Sequence, residues 1–268
     1  MGTESRAGSA SASATTAVPG DFLSLLGHHS LAPLTFAPVS GAPVETQATT
    51  VFAFRFSEGV LMAGDRRATA GNIIVTDRVE KVMALDDTSL LAIAGVPATA
   101  FEMARVLQTS FEYYRRSQLQ PLSLPARVRA LARLLRDNLP MTLQGVGVVV
   151  PLFAGVDTAA APPEPKIFFY DPLGAQFQAV NHAASGSGSG TIRSILAFQE
   201  RHGSPRPEDM TADEAIAFAL RMLMTAAEFD TATGGVNPAA RHFATVKILR
   251  PNGVETVSDE RQAAALTP

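Results

Sequence analysis

From Thr49 onward the spacing of apolar residues changes period four times, and that order of blocks limits the fold more than any single residue does. "TTVFAFRF" (49–56) alternates, with Phe52, Phe54 and Phe56 on one face, the two-residue repeat of a strand. "GVLMAGD" (59–65) reads as a buried strand ending in polar residues, and "VEKVMALDDTSLLAIAGV" (79–96) as two strands around an Asp-Asp-Thr-Ser turn. The period then becomes helical. Residues 97–118 open with Pro97, suited to a first helical turn, and place Phe101, Leu107, Phe111 and Tyr114 at helical spacing. Residues 125–139 form a second amphipathic helix through Val128, Leu131, Leu134 and Leu135. Strands resume over 145–157, in "KIFFY" and in "AQFQAVNHA", with the Asp-Pro-Leu-Gly turn (171–174) making a hairpin of the last two. Two more helices follow, roughly 188–202 and 212–228, the latter with Thr211 as N-cap. A hairpin across Pro251-Asn252-Gly253 closes the pattern. Strands, a helix pair, strands, a helix pair and strands again predict an α+β fold in layers, with helix pairs covering antiparallel sheets. They do not predict the strand-by-strand alternation of a parallel sheet.

The first 48 residues stand apart. Residues 1–20 are small and polar, and the short apolar patches "FLSLL" and "APLTF" are too small to form a core. With one Arg among those first twenty residues and no apolar stretch, the start does not read as a secretory signal. The 268 residues, 46% hydrophobic, suffice for one sizeable core. A net charge of −3 argues against nucleic acid or an anionic membrane as the main partner. No apolar run reaches the ~18–20 residues of a membrane span. Zero cysteines exclude disulfides and thiolate metal sites and fit a cytoplasmic location. His28, His29, His182, His202 and His242 show no metal-ligand spacing, so no metal and no cofactor are expected.

Lysine is scarce: Lys81, Lys166 and Lys247 are three of 22 basic residues. Arginine is the default cation, and a retained lysine draws attention because its pKa can be moved by its surroundings. Thr49, "GDRRATAG" (64–71), Lys81, "AIAG" (92–95), "GSGSG" (186–190) and "DTATGG" (230–235) each have an ordinary explanation. Thr49 suits the start of a strand, Asp65 a turn beside Arg66 or Arg67, Lys81 a solvent-facing strand position. The Gly-Ser run is either a linker or a turn whose bare amides form an anion nest. It is not a nucleotide-binding P-loop, since no Gly-Lys-Ser/Thr follows.

Together these stretches resemble mature 20S proteasome β subunits of the actinobacterial type, members of the N-terminal-nucleophile hydrolases. The similarity runs without gaps from Thr49 to Gly95, takes in the later "GSG" and "D-x-x-T-G-G" motifs in order, and covers 49–250. The resemblance implies a four-layer αββα sandwich, two antiparallel sheets flanked by helix pairs. It makes residues 1–48 a propeptide removed autocatalytically between Ala48 and Thr49, and 49–268 the protease domain. Thr49 matches the nucleophile, Asp65 and Lys81 the buried pair beside it, and Gly95 the oxyanion donor. Ser187 and Asp230 match the pair near the nucleophile's amine, with Thr233 where the family usually has Ser. Thr69 matches a residue whose backbone binds substrate as an added strand. Ala68, Val79, Met83, Ile93 and Phe101 match the pocket for the side chain before the scissile bond, which implies a preference for apolar residues there. The implied partners are proteasome α subunits, other β subunits in heptameric rings (α7β7β7α7), a regulatory ATPase and unfolded protein substrates.

The chemistry is coherent with those roles. A hydroxyl needs a base to act as a nucleophile near neutral pH. An N-terminal Thr carries one in its α-amine, with a reference pKa of about 7.7–8.0. A leader blocks that amine until it is removed, which accounts for nearly fifty residues before the first strand. Two positions depart from the family. Ala48 stands where self-processing members normally have Gly, and Pro97 stands where the family offers substrate a backbone N–H that proline lacks. A non-catalytic ring subunit, a small-molecule amidase of the same nucleophile class and the related two-ring bacterial protease are the competing readings. Retention of Thr49, Asp65 and Lys81 together argues against the first, and the long leader against the other two.

Overall fold

Strand β1 (Thr50–Phe56) is buried on both faces, and the rest of the architecture follows from what covers each face. The structure is a computed structural model that describes residues 49–70 and 73–267. They fall within the compact unit Gly41–Pro268. The leader, its apolar patches and Ala48 lie outside the described residues.

One sheet has the order β10-β1-β2-β11-β12, built from β1, β2 (Gly59–Gly64), β10 (His182–Gly186), β11 (Thr245–Arg250) and β12 (Gly253–Thr256). The other runs β5-β6-β7-β8-β9, from β5 (Val82–Asp86), β6 (Ser89–Ala92), β7 (Leu152–Asp157), β8 (Glu164–Tyr170) and β9 (Gln176–Ala179). All pairings in both are antiparallel. A separate hairpin joins β3 (Ala68–Ala70) to β4 (Ile73–Thr76).

Val51, Ala53, Val60 and Met62 of the first sheet pack on Val82, Leu90, Ala92, Leu152 and Ala154 of the second. The alternate residues Phe52, Phe54 and Phe56 face outward into a cluster with Ile192 and Leu196 of α4 (Ser189–His202) and Ile216, Leu220 and Leu223 of α5 (Ala212–Phe229). Burying each such phenylalanine stabilises the fold by about 1.5–3 kcal/mol. On the far side, Leu91, Phe153 and Tyr170 meet Leu107 and Phe111 of α1 (Pro97–Gln118) and Val128, Leu131 and Leu135 of α2 (Leu124–Asp137). The order of layers is therefore helices, sheet, sheet, helices. A short α3 (Leu139–Leu143) follows α2, and α6 (Asp259–Leu266) ends the described chain.

Helix ends follow local rules. Pro97 opens α1, where its missing N–H is harmless. Thr211 caps α5 in a reciprocal box with Glu214. Two strand expectations shift. The strand expected over 145–157 begins at Leu152; before it, Val149 keeps the same register with Gly95 only as an isolated bridge. "AQFQAVNHA" splits at Val180 into β9, an edge of one sheet, and β10, an edge of the other. That crossing delivers the Gly-Ser run to the start of β1.

Candidate active site

Thr49 immediately precedes β1 and is 5% exposed. Its carbonyl accepts from the Ser187 amide at 2.9 Å. The close approach requires Gly186, at φ +94°, where a Cβ would lie 1.8 Å from the Thr49 oxygen. Gly188 is similarly constrained: a Cβ there would sit 2.5 Å from Thr50 Oγ1 and 2.7 Å from Thr233 Oγ1. The Gly-Ser run is thus a tight junction between β10 and α4, and its glycines make room for the threonines.

Asp65 follows β2 and Lys81 precedes β5, so the two sheets each bring one member of a pair to the same end of the sandwich. Lys81 Nζ donates to Asp65 Oδ1 at 2.8 Å, with the two side chains 3% and 0% exposed. The Thr50 amide donates to the same oxygen at 2.8 Å, and the Arg67 and Gly234 amides donate to Oδ2, each at 2.9 Å. Four donors hold this carboxylate in one orientation. Burial pushes the Lys81 ammonium below the usual lysine value, against the opposing pull of Asp65. A lysine so placed surrenders its proton more readily than a solvated one and is suited to proton transfer, which Arg is not.

Ser187 Oγ and Thr233 Oγ1 each donate to Asp230 Oδ2 at 2.6 Å. Thr233 Oγ1 lies 2.6 Å from Thr50 Oγ1, which also accepts from the Gly188 amide at 3.0 Å. Gly95 has φ +113° and faces Val149 in an isolated antiparallel bridge. The flanking bonds, Val96 N–H to Val148 O at 2.9 Å and Val150 N–H to Ala94 O at 2.8 Å, make Gly95 and Val149 a non-hydrogen-bonded pair. The Gly95 amide therefore points away from that partner, as an oxyanion donor must. A small cavity of ≈ 70 Å³ is lined by Thr49, Lys81 and Gly95 together with Ala68, Thr69, Val79, Ile93 and Pro97. Among the described residues no group of three or more His, Asp or Glu is placed to hold a metal ion. No described helix is long and apolar enough to cross a membrane.

The family model described as "Proteasome subunit" matches residues 45–238. The chain belongs to the proteasome subunit family. It is 40% identical to proteasome subunit beta 2 of Thermomonospora curvata over 219 residues, 82% of this chain and 75% of the relative. It is 38% identical to proteasome subunit beta of Acidothermus cellulolyticus over 226 residues, 83% and 76% of the two chains. With proteasome subunit beta of Streptomyces griseus the identity is 35% over 249 residues, 91% and 84%.

In this proteasome subunit, Met83 and Phe101 stand outside the cavity lining and pack, half-buried, against the core under α1 and α2. The other described residues expected at the site come together around Thr49 and Thr50. Sequence reasoning singled out neither Thr50 nor Arg67. Arg67 Nε donates to Asp77 at 2.9 Å and Nη1 to the Thr231 carbonyl at 3.1 Å, tying the "DTATGG" turn to the segment that follows Asp65. The paired Arg-Arg after Asp65 was the available signal for it. A second threonine at a strand start carries no such signal.

Proposed function

We propose that the chain is a catalytic β subunit of a proteasome core particle and acts as a threonine endopeptidase. The observation that carries this reading is that Lys81, held by buried Asp65, opens with Thr49 and Gly95 onto one cavity. In the proposed cycle the bond between Ala48 and Thr49 is first broken by the chain itself, freeing the Thr49 amine. Thr49 Oγ then attacks the substrate carbonyl carbon and its proton passes to that amine, eased by Lys81. The Gly95 amide holds the oxyanion, a contribution worth about 3–4 kcal/mol at comparable sites. The leaving amine takes the proton, an ester on Thr49 remains, and water hydrolyses it. The apolar side chains of Ala68, Val79 and Ile93 favour apolar residues before the scissile bond, because an unpaired charge there is costly.

The names of the relatives support assembly with other proteasome subunits. We extend this to heptameric β rings stacked between α rings, fed with unfolded protein by an ATPase in the cytoplasm. Ala48 favours one rival, a structural ring subunit that keeps its leader. Intact mass of the purified particle, with turnover of an apolar fluorogenic peptide, separates the two. The expected result is a chain starting at Thr49 and an active particle, with Thr49→Ala inactive and full length. A fully assembled wild-type particle that keeps residues 1–48 and cleaves nothing would establish the structural subunit instead.

A further inference from the structure

Thr50 is 0% exposed, and the hydrogen bonds around it have a direction that the geometry fixes. Asp230 Oδ2 can only accept, so Thr233 spends its single hydroxyl proton on it. Thr233 then has none left for Thr50, and across their 2.6 Å contact Thr50 must be the donor. Thr50 Oγ1 in turn accepts from the Gly188 amide. The chain therefore runs one way, from Gly188 N–H through the Thr50 hydroxyl and the Thr233 hydroxyl to Asp230. Ser187 donates to the same Asp230 oxygen at 2.6 Å, and its amide holds the Thr49 carbonyl. On its other side the Thr50 amide donates to Asp65 Oδ1, the oxygen that receives Lys81. Thr50 thus touches both groups of polar residues flanking Thr49.

We propose that the Thr50 hydroxyl is a positioning residue for catalysis: it orders the Thr233–Asp230–Ser187 cluster beside the Thr49 amine and holds it in register with Asp65 and Lys81. The inference rests on Thr49 being the nucleophile. A hydroxyl that donates to a second hydroxyl polarises it, so Thr233 binds the Asp230 carboxylate more strongly than it would alone. Replacing Thr50 by valine keeps the shape, removes the donor to Thr233 and leaves the buried Gly188 amide unpaired. Thr50 does not line the cavity, so substrate affinity is not expected to change.

The test uses the assembled wild-type particle and the Thr50→Val and Thr50→Ser variants, with an apolar fluorogenic peptide followed from pH 5 to 9. Thr50→Val is expected to lower kcat by about tenfold, roughly the effect of one misplaced hydrogen bond at a reacting centre, with KM unchanged. Thr50→Ser should restore kcat. Wild-type kcat in Thr50→Val, or a loss that appears in KM rather than kcat, would overturn the proposal. So would Thr50→Ser as impaired as Thr50→Val, because the methyl group would then be what matters. Should Thr50→Val not assemble, Thr50→Cys retains a weak donor and is expected to be intermediate; full activity there would overturn the proposal equally. A wild-type particle without turnover would sink the nucleophile assignment, and the inference with it, which the variant comparison in an active particle cannot be mistaken for.

Discussion

Asp65 and Lys81 form one ion pair, yet losing either should not cost the same. Asp65→Asn leaves one acceptor oxygen where there were two. If the new amide nitrogen faces the Oδ2 side, it meets the Arg67 and Gly234 amides; turned over, it meets the Thr50 amide and Lys81. At least one backbone amide loses its acceptor either way, and Lys81 loses the Asp65 counter-charge. Lys81→Met removes the cation in a side chain of similar length, while three backbone amides still satisfy Asp65. Breaking the buried pair is common to both variants, at about 3–5 kcal/mol. With the side chain turned the cheaper way, one orphaned amide adds about 1–3 kcal/mol, so Asp65→Asn should be the worse by about 1–3 kcal/mol. With a urea slope of about 3 kcal/mol per molar for a chain of this size, that separates the unfolding midpoints by about 0.3–1 M. Equilibrium urea unfolding of the full-length chains, followed by circular dichroism, measures it. Equal midpoints, or a lower one for Lys81→Met, would mean that the carboxylate matters as a charge alone and that counting its donors was the wrong argument.

The glycines between β10 and α4 should differ sharply. Gly188→Ala forces a Cβ against two engaged hydroxyls and should destabilise by about 1–3 kcal/mol, whereas a Cβ on Gly190 meets nothing within 4 Å. Gly190→Ala, inside the first turn of α4, should be neutral or stabilising by up to about 1 kcal/mol in the same unfolding assay. Lys81 also sets a pH dependence. Its folded pKa lies below 10.5, so between that pKa and 10.5 the unfolded chain binds more protons than the folded one. Wild-type stability should therefore rise with pH across that window relative to Lys81→Met. A relative fall, read from melting temperatures of the two chains, would show that Asp65 outweighs burial.

Much of the layered fold was legible because its strands and helices carry unambiguous periods. Phe52, Phe54 and Phe56 do share one face, and α1 occupies the residues its spacing marks. The hairpin of β3 and β4 was not legible: Ile73, Ile74 and Val75 are consecutive apolar residues, all exposed, with no alternation to read. Nor was the split of "AQFQAVNHA", since which sheet a strand joins is decided by partners far away in the chain. At the site, the order of motifs marks Thr49, Asp65, Lys81 and Gly95; the fold sets Thr49, Lys81 and Gly95 around one cavity and pairs Asp65 with Lys81. Thr50 was invisible because its role consists of contacts with Gly188 and Thr233, more than a hundred residues distant. Met83 and Phe101, expected in the pocket from the resemblance, are half-buried against the core under α1 and α2.

Chain ends ordinarily fray, yet the start of β1 is gripped by residues that all come later in the chain: Asp65, Ser187, Gly188 and Thr233. These bonds do not depend on what precedes Thr49. A new terminus could therefore be created at this point without loosening the strand.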